Sequence, residues 1–590
     1  MLEHLVRYAE RKGLGDDPCF AAKSIKWAIV LNDDGSFQGI KPLGNPDDKN
    51  WKGKNFQTAP YTPENELLSG GKSHFLSETA ETVLLWFPET PKKNKTLEET
   101  VASIKAKHDY FQELCEEACK TGANKLMPIT HFLANARVME AAKQEFISTK
   151  KAKPNDLVTF DINGANVLDM HDWQSFWRNK RDTPKTRQRS REHLMPCLAT
   201  GEMVKPLAAH GVIKGVFGAD KKGAKLVASY QDAFWSYGLK KSENAPVSAR
   251  AESRYRAALN DLVKNSFPLV YPNKKGKGGV QLIYWTQEHI KANPIALIRN
   301  GEDATFDFFD GDPELQKGGL LAALRALHKG HYKPQGYESN QFYGCALNGN
   351  GRGPLVVRDW WETSLTDVLG KVARWFDDVS IISEGGGLLK PPKFFTFLSV
   401  LVRKDKRGKA LIEELPLHIP VQLLRAALRD FPLPRAVLDR AVKRHIVEVR
   451  AREVRAERMG LIKAFLNRSG GEKMTESLNR ESISIAYHCG RLLAVFEQIQ
   501  SKALPNVKAG VVQRFYGAAS ATPGLVMGRL FRTAQHHLGS IENPTYYQKL
   551  LGEVTDKIGE NFPAVLSLEE QGRFALGYYH QRSERFAGNK

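Results

Sequence analysis

The sequence predicts an α+β protein, with mixed strand and helix through the N-terminal and central regions and a C-terminal all-helical bundle. Three observations carry this. An Asp-Gly turn, Asp34-Gly35, separates two apolar runs near the start, a strong hairpin signal. Strand-like and helix-like segments then alternate irregularly, with long connections that do not suit a doubly wound sheet. From about residue 434 onward the apolar residues recur at helical spacing and prolines cut the segment at intervals.

In chain order, an amphipathic helical turn comes first, then a strand over Ile25–Leu31, the turn Asn32-Asp33-Asp34-Gly35, and a strand over Phe37–Ile40. Residues 41–71, rich in Pro, Gly, Lys and Asn, read as a long loop of the kind that carries function. Helices are expected over 96–121 and 128–148. The central region reads as strands over 157–162, 225–230, 280–286 and 394–403, and as helices over 252–265, 320–329 and 360–376. One long basic helix is expected from Pro434 to Leu466, interrupted only by Gly460. In the bundle, Thr522-Pro523 and Asn543-Pro544 have the form of N-caps followed by proline, and Ser567 with Glu570 forms a capping box. Ile485, Leu492, Leu493, Phe496 and Ile499 form its apolar stripe. At ~150 residues per domain the length suggests about four segments, placed at 1–154, 155–433, 434–472 and 473–590.

Composition excludes several classes. The chain is 42% hydrophobic, enough for real cores, and no run reaches the ~18 apolar residues of a spanning helix. The opening residues mix charge into the apolar ones, so no signal peptide is expected and the protein is read as cytoplasmic. Cys115 and Cys119 stand four apart in a helical stretch, and Cys19, Cys197, Cys345 and Cys489 stand alone. That spacing gives neither a disulfide framework nor a zinc site, and no cofactor or metal is expected. Residues 68–73 end like a nucleotide-binding loop, but Glu66 occupies the place of its first glycine.

Charge points to a partner. Lys and Arg number 86 against 66 Asp and Glu, a net +20. A chain this basic, with no lipid anchor in view, suits nucleic acid. From Arg178 to Arg191 there are seven cations and one acid: Arg178, Lys180, Arg181, Lys185, Arg187, Arg189 and Arg191 around Asp182. Trp173 and Trp177 lie beside them, so the segment has the makeup of a phosphate-tracking loop with rings near enough to stack on bases. A solvated loop whose tryptophans belong to the core is the competing reading. Lys274, Lys275 and Lys277 form a second basic segment, and residues 403–409 a third, read as a turn between strands with cations at its tip. Arg440, Lys443, Arg444 and Arg450 lie on the long basic helix, where an ordinary solvated face competes with binding. The strongest catalytic candidate is Asp307, Asp310 and Asp312, carboxylates able to hold Mg²⁺ for phosphodiester hydrolysis. A loop with Asp312 capping a helix at Pro313 is the plainer account.

The strings Cys197-Leu-Ala-Thr-Gly-Glu202, His210-Gly-Val-Ile-Lys214-Gly-Val-Phe-Gly218, Ala233-Phe-Trp-Ser-Tyr237-Gly238, Asn244-Ala-Pro246 and Tyr255-Arg-Ala-Ala-Leu-Asn260 stand in order along the chain. Gly490-Arg491-Leu-Leu-Ala-Val-Phe-Glu497, Arg514-Phe-Tyr516-Gly and His536-His537 follow. Together they resemble the large subunit of type I-C CRISPR Cascade surveillance complexes over nearly the whole length. Leu347-Asn348 with Arg352, and Val357-Arg358 with Trp360, fit more loosely, and the wording around Lys72–Glu78 departs from the family's usual string.

The resemblance implies a non-catalytic subunit that reads a short protospacer-flanking motif in double-stranded target DNA. It implies help with R-loop formation, a hold on the displaced strand, and recruitment of a helicase-nuclease. Guide CRISPR RNA and the other Cascade backbone and small subunits are the further partners, with no membrane. In this frame Lys52, Lys54, Asn55, Gln57, Lys72, Ser73 and His74 are expected to read the flanking motif, since Asn and Gln suit adenine edges and Lys suits guanine. Arg352 and Arg358 join the backbone-contact set, and Arg440, Lys443, Arg444 and Arg450 the displaced-strand set. Some members of the family make a small subunit from an internal start. Here codons for Gly470-Gly471-Glu472 can spell a purine-rich ribosome-binding site before Met474, with Met459 a competing start, and a plain linker between the basic helix and the bundle is the competing reading of Gly470-Gly471. The competing classes are a Mg²⁺-dependent nuclease using the aspartate cluster and a nucleic-acid-binding scaffold unrelated to CRISPR.

Overall fold

A computed structural model describes residues 1–48, 51–67, 71–90, 96–182, 194–229, 231–273, 276, 278–288, 293–301, 325–326, 331 and 339–587. The chain is α+β as expected, and it divides into two compact units. One comprises Met1–Asn265 with Gly349–Val356, the other Ser266–Asn348 with Val357–Lys590.

The first unit is built on a small mixed sheet. Strands β1 (Phe20–Ile25), β2 (Trp27–Leu31), β3 (Phe37–Pro42), β4 (Lys54–Pro60), β5 (Glu78–Thr79), β6 (Leu157–Ile162) and β7 (Ala165–Asn166) come first. The expected hairpin is β2–β3, closed by Gly35 N–H to Asn32 O at 3.0 Å. The sheet runs β3-β2-β6-β5, with β2 and β6 parallel and β7 folded back onto β6. Asp156, just before β6, accepts from Lys26 Nζ at 2.9 Å and Trp27 Nε1 at 3.1 Å, which ties β2 to its distant neighbour. The helix Leu97–Lys120 begins at a capping box, with Glu99 N–H donating to Thr96 Oγ1 at 3.1 Å and Thr96 N–H to Glu99 Oε2 at 2.8 Å. The expected helix over 128–148 is two, Met127–Ala134 and Ala136–Ser148, because Asn135 leaves the helix and caps the second through Val138 N–H. Trp27, Phe111, Phe132, Phe146, Phe160 and Trp173 fill the core between sheet and helices.

Residues 194–247 of this unit are mostly irregular, with a two-residue hairpin β8 (Met195–Pro196) and β9 (Met203–Val204). Of the strand expected over 225–230, the described residues 225–229 are not in a strand, and Ala224 makes an isolated bridge to Ile213. The helix Ala249–Lys264 follows.

The second unit begins with an antiparallel sheet in sequential order, β10 (Phe267–Val270), β11 (Val280–Thr286), β12 (Gln341–Asn348) and β13 (Val356–Ser364). Three expectations are corrected here. Residues 356–364 extend as β13, where a helix was expected from Trp360, and Ser364 caps the helix Leu365–Val379 through Asp367 N–H at 3.2 Å. Residues 394–399 are helical rather than a strand; Phe394, Phe397 and Leu398 are all buried, and a short apolar run buried on several sides has no period to distinguish the two. The cationic turn after it does form, through Asp405 N–H to Lys409 O at 2.8 Å, although no strand precedes it. The long basic helix breaks into Arg435–Arg450 and Ala456–Arg468 at Arg452, whose φ is +63°, while Gly460 lies within the second helix. The helix expected over 320–329 falls almost wholly outside the described residues.

Five helices follow: Ile485–Ala503, Val511–Ala521, Pro523–Leu538, Thr545–Ile558 and Leu568–Ala587. The first and last pack closely because Gly490 and Gly577 leave room; a Cβ on Gly490 would lie 2.0 Å from Phe574 O, and one on Gly577 1.9 Å from Tyr487 O. Leu492, Leu493, Phe496 and Ile499 are buried as the stripe requires, but Ile485 is exposed at the N-terminal turn. The Ser567–Glu570 box forms. Thr522 holds its N-cap position without a side-chain capping bond, its hydroxyl donating instead to Ala518 O at 3.2 Å, and Pro544 rather than Asn543 occupies the next one. No helix among the described residues is long and apolar enough to cross a membrane.

Candidate nucleic-acid interface

Residues 54–57 lie in a strand, not in the expected loop. After Gly53 the chain enters β4, which pairs antiparallel with β1 as a separate two-stranded ribbon. Gly53 has φ +85°, and an added Cβ would sit 2.0 Å from Ile25 O, so the turn into the ribbon requires glycine. Ile25 lies opposite Lys54, Ser24 opposite Asn55 and Lys23 opposite Phe56, with a bulge between Ala21 and Lys23. Phe56 and Ala59 face the core, and this leaves Lys54, Asn55, Gln57 and Thr58 exposed beside Ala22 and Ser24. Lys52 is exposed just ahead of the ribbon. Lys54 Nζ is held 2.8 Å from Asp169 Oδ2 and 4.6 Å from the centre of the Phe56 ring. Asn55 Oδ1 accepts from Ser24 Oγ at 3.4 Å. Asn55 and Gln57 share the ribbon face opposite Phe56; a two-stranded ribbon has the width of a DNA major groove, and side-chain amides match base edges there.

Lys72, Ser73 and His74 are placed differently. Ser73 is buried with no partner for its hydroxyl among the described residues. His74 donates its backbone N–H to Glu78 Oε2 at 2.8 Å. Burial, and then the charges of Lys23, Lys214 and Lys107, hold its imidazole well below the ordinary pKa. Lys72 Nζ lies 4.0 Å from Glu66. Lys23 of β1 donates to Ser77 O and Oγ at 2.9 and 3.0 Å, and so links this inward-facing segment to the ribbon. The lysines around His74 come from three separate stretches of chain, and no spacing in the sequence announces them.

The basic segment at 178–191 is described only over its first part. Arg178, Lys180 and Arg181 lie on the helix Gln174–Asp182, which ends just before Pro184, and each meets an acid. Arg178 Nε lies 2.6 Å from Asp17 Oδ2, Lys180 pairs with Glu117, and Arg181 makes a two-pronged bond to Glu66 at 3.1 and 3.0 Å. Trp173 and Trp177 are core residues, bonded through their indole nitrogens to Val167 O and Cys19 O, so neither ring is available to stack on bases. Lys185, Arg187, Arg189 and Arg191 lie outside the described residues, as do Lys274, Lys275, Lys277 and Asp307, Asp310 and Asp312. Arg352 is exposed, and Arg358 donates to Asn348 Oδ1 at 2.8 Å. Among the described residues no three His, Cys, Asp or Glu side chains are grouped to hold a metal ion.

In the helical part of the second unit, from Arg435 onward and hereafter the helical unit, Lys443 is exposed and 2.8 Å from Asp439, Arg440 is half-buried, and Arg450 donates to Gln513 O at 3.2 Å. Arg435, Asp439 and Lys443 line a cleft of about 590 Å³ with Leu568 and Gln571. Arg444 belongs to the interior instead, 2.6 Å from Glu448.

The strings His210–Gly218 and Tyr255–Asn260 form one structural hub. Arg256 pairs with Glu252 at 3.0 Å under the Tyr61 ring, Gly211 N–H donates to Glu252 Oε1 at 2.9 Å, and Lys214 N–H donates to Asn260 Oδ1 at 2.9 Å. His210 bonds to the Tyr255 hydroxyl, and burial lowers its pKa to about 4. These residues organise the unit rather than offering a reactive group.

The model of one protein family, described as CRISPR-associated protein (Cas_Csd1), matches residues 5–586. No curated protein matches the chain.

Proposed function

Because this chain belongs to the Cas_Csd1 family, the large subunit of type I-C CRISPR Cascade, we propose that it reads the protospacer-flanking motif through the β1–β4 ribbon. The carrying observation is the exposure of Asn55 and Gln57, two residues apart and so on one face of a two-stranded ribbon, in a chain of net charge +20. Membership in Cascade makes the other Cascade subunits and the guide RNA its partners. Double-stranded target DNA and a helicase-nuclease complete the set in this reading. Base pairing to the guide reads the target, and the protein reads the short motif and the backbone.

The reading extends to R-loop formation, with the exposed cations of the cleft at Arg435 and Lys443 supporting a hold on the displaced strand. It assigns no cleavage to this subunit. The test is binding of the assembled complex to duplexes that vary only in the flanking motif. Asn55→Ala and Gln57→Ala should each remove about 1–3 kcal/mol of discrimination between motifs, with little loss on non-specific DNA. Equal loss on every duplex would show that the ribbon only grips phosphate. Mg²⁺-dependent cleavage by the purified chain, abolished by Asp307→Asn, would favour the nuclease reading.

A further inference from the structure

Tyr237 is 99% exposed, on a backbone that costs free energy to hold. Its φ is +52° and that of Gly238 is +77°, and Leu239 N–H closes the turn on Ser236 O at 2.9 Å. Two successive left-handed residues between bridged neighbours are the mark of a type I′ turn, whose first central position favours Asn, Asp or Gly. A bulky ring there is strained. The fold gains nothing in return, since the ring is almost wholly in solvent. Phe234, 56% exposed, ends the preceding one-turn helix Asp232–Phe234. Between them Trp235 is half-buried with Lys240 Nζ 5.6 Å from its ring centre, and its indole N–H has no partner among the described residues. Lys241 is exposed beside Lys240, and Asp232 is the one acid from residue 231 to 241.

We propose that the 231–241 loop is a stacking platform for unpaired bases of single-stranded DNA, with Tyr237 and Phe234 offering ring faces and Lys240 and Lys241 meeting the adjoining phosphates. Every base has a π-face, so such a platform accepts a strand without reading it, and cations beside the rings give it salt dependence. The charge favours a polyanion over an apolar protein surface: the exposed rings adjoin two lysines in a chain of net +20. The proposal rests on the reading of this subunit as one that handles opened DNA.

The experiment uses the full chain and three probes of one sequence: single-stranded DNA, single-stranded RNA, and duplex carrying the flanking motif. Tyr237→Asn places in the turn a residue that the left-handed backbone accepts, so the variant should fold with a melting temperature equal to or above that of the parent. It should nevertheless lose single-stranded DNA affinity by roughly five- to a hundredfold, as should Phe234→Ala. Duplex affinity should be unchanged, and Tyr237→Trp should retain binding. Unchanged single-strand affinity in both loss variants overturns the platform. So does a loss confined to RNA, or a loss of binding to another Cascade subunit with single-strand affinity intact. A parent chain that binds motif-bearing duplex but no single strand overturns this proposal and leaves the flanking-motif reading standing; one that binds neither overturns both.

Discussion

Arg458 donates through Nη2 to Glu448 at 2.6 Å, and both side chains are almost without solvent access. The pair joins the helices Arg435–Arg450 and Ala456–Arg468 across their break at Arg452. Arg444 shares the same carboxylate at 2.6 Å, and Arg458 Nε also reaches Val400 O at 2.9 Å. Burial holds the Arg458 guanidinium below its ordinary pKa, and the carboxylate opposes that shift. An ion pair this deep stabilises little on balance, but losing one partner strands the other charge in the interior.

Glu448→Gln should therefore destabilise the helical unit by about 3–5 kcal/mol. Lys443→Ala, which breaks a pair whose lysine is 73% exposed, should change stability by no more than about 0.5 kcal/mol. Urea denaturation followed by far-ultraviolet circular dichroism compares the two. Similar midpoints for both variants would mean that Arg458 finds other compensation.

Acid should weaken the helical unit through two buried rings. His445 and His580 are each lowered from 6.5 to about 3, first by burial, then by Arg458 and Arg582 for His445 and by Lys463 for His580. Above the unfolded value of 6.5 the rings are neutral in both states and contribute no pH dependence. As pH falls below 6.5 the unfolded chain binds protons that the folded chain refuses, so stability declines by up to about 1.4 kcal/mol per pH unit for each ring until about pH 3. His445→Gln should remove one ring's share of the slope between pH 6 and 5. An unaltered slope would assign acid sensitivity to other groups.

Salt should separate the two halves of the 178–191 segment. Arg178 and Arg181 are already neutralised by Asp17 and Glu66, so replacing them with Ala should lower the melting temperature and scarcely move the salt dependence of DNA binding. Replacing Arg187, Arg189 and Arg191 with Ala should flatten the log–log slope by roughly 0.9 for each phosphate that is no longer neutralised. An identical slope in parent and triple variant would return those arginines to plain solvation.

A second product should appear from Met474. The buried bundle core draws its residues from 486–578, with Val449 the exception. Met474 is tied to the preceding helix through both backbone groups, N–H to Asn467 Oδ1 at 2.7 Å and O from Asn467 Nδ2 at 3.0 Å. Tyr487, Leu576 and Tyr579 pack into the neighbouring core cluster, so a product starting at 474 would expose them as a face for assembly. Expression with a C-terminal tag should show a band near one fifth of the 66.1 kDa chain mass, lost when Met474 is changed to Leu. A single full-length band would mean that the gene makes one protein.

Short-range chemistry was legible in the sequence. The β2–β3 turn, the Thr96–Glu99 and Ser567–Glu570 boxes, and the amphipathic stripe of Ile485–Ala503 each depend on residues a few positions apart. The family strings were legible for the same reason, as were net charge and the α+β class. Tertiary structure decided what depends on distant partners. β2 lies parallel to a strand more than a hundred residues away, and no local pattern encodes that choice. Trp173 and Trp177 look like stacking rings until the core closes over them, and Arg178, Lys180 and Arg181 look like free charge until Asp17, Glu117 and Glu66 arrive from other elements. Phe394–Ser399 became a helix because its apolar residues are buried on more than one side, which removes the period that separates helix from strand. Local propensity acts through neighbours along the chain, whereas burial and charge pairing act through space and are set only once the chain has folded.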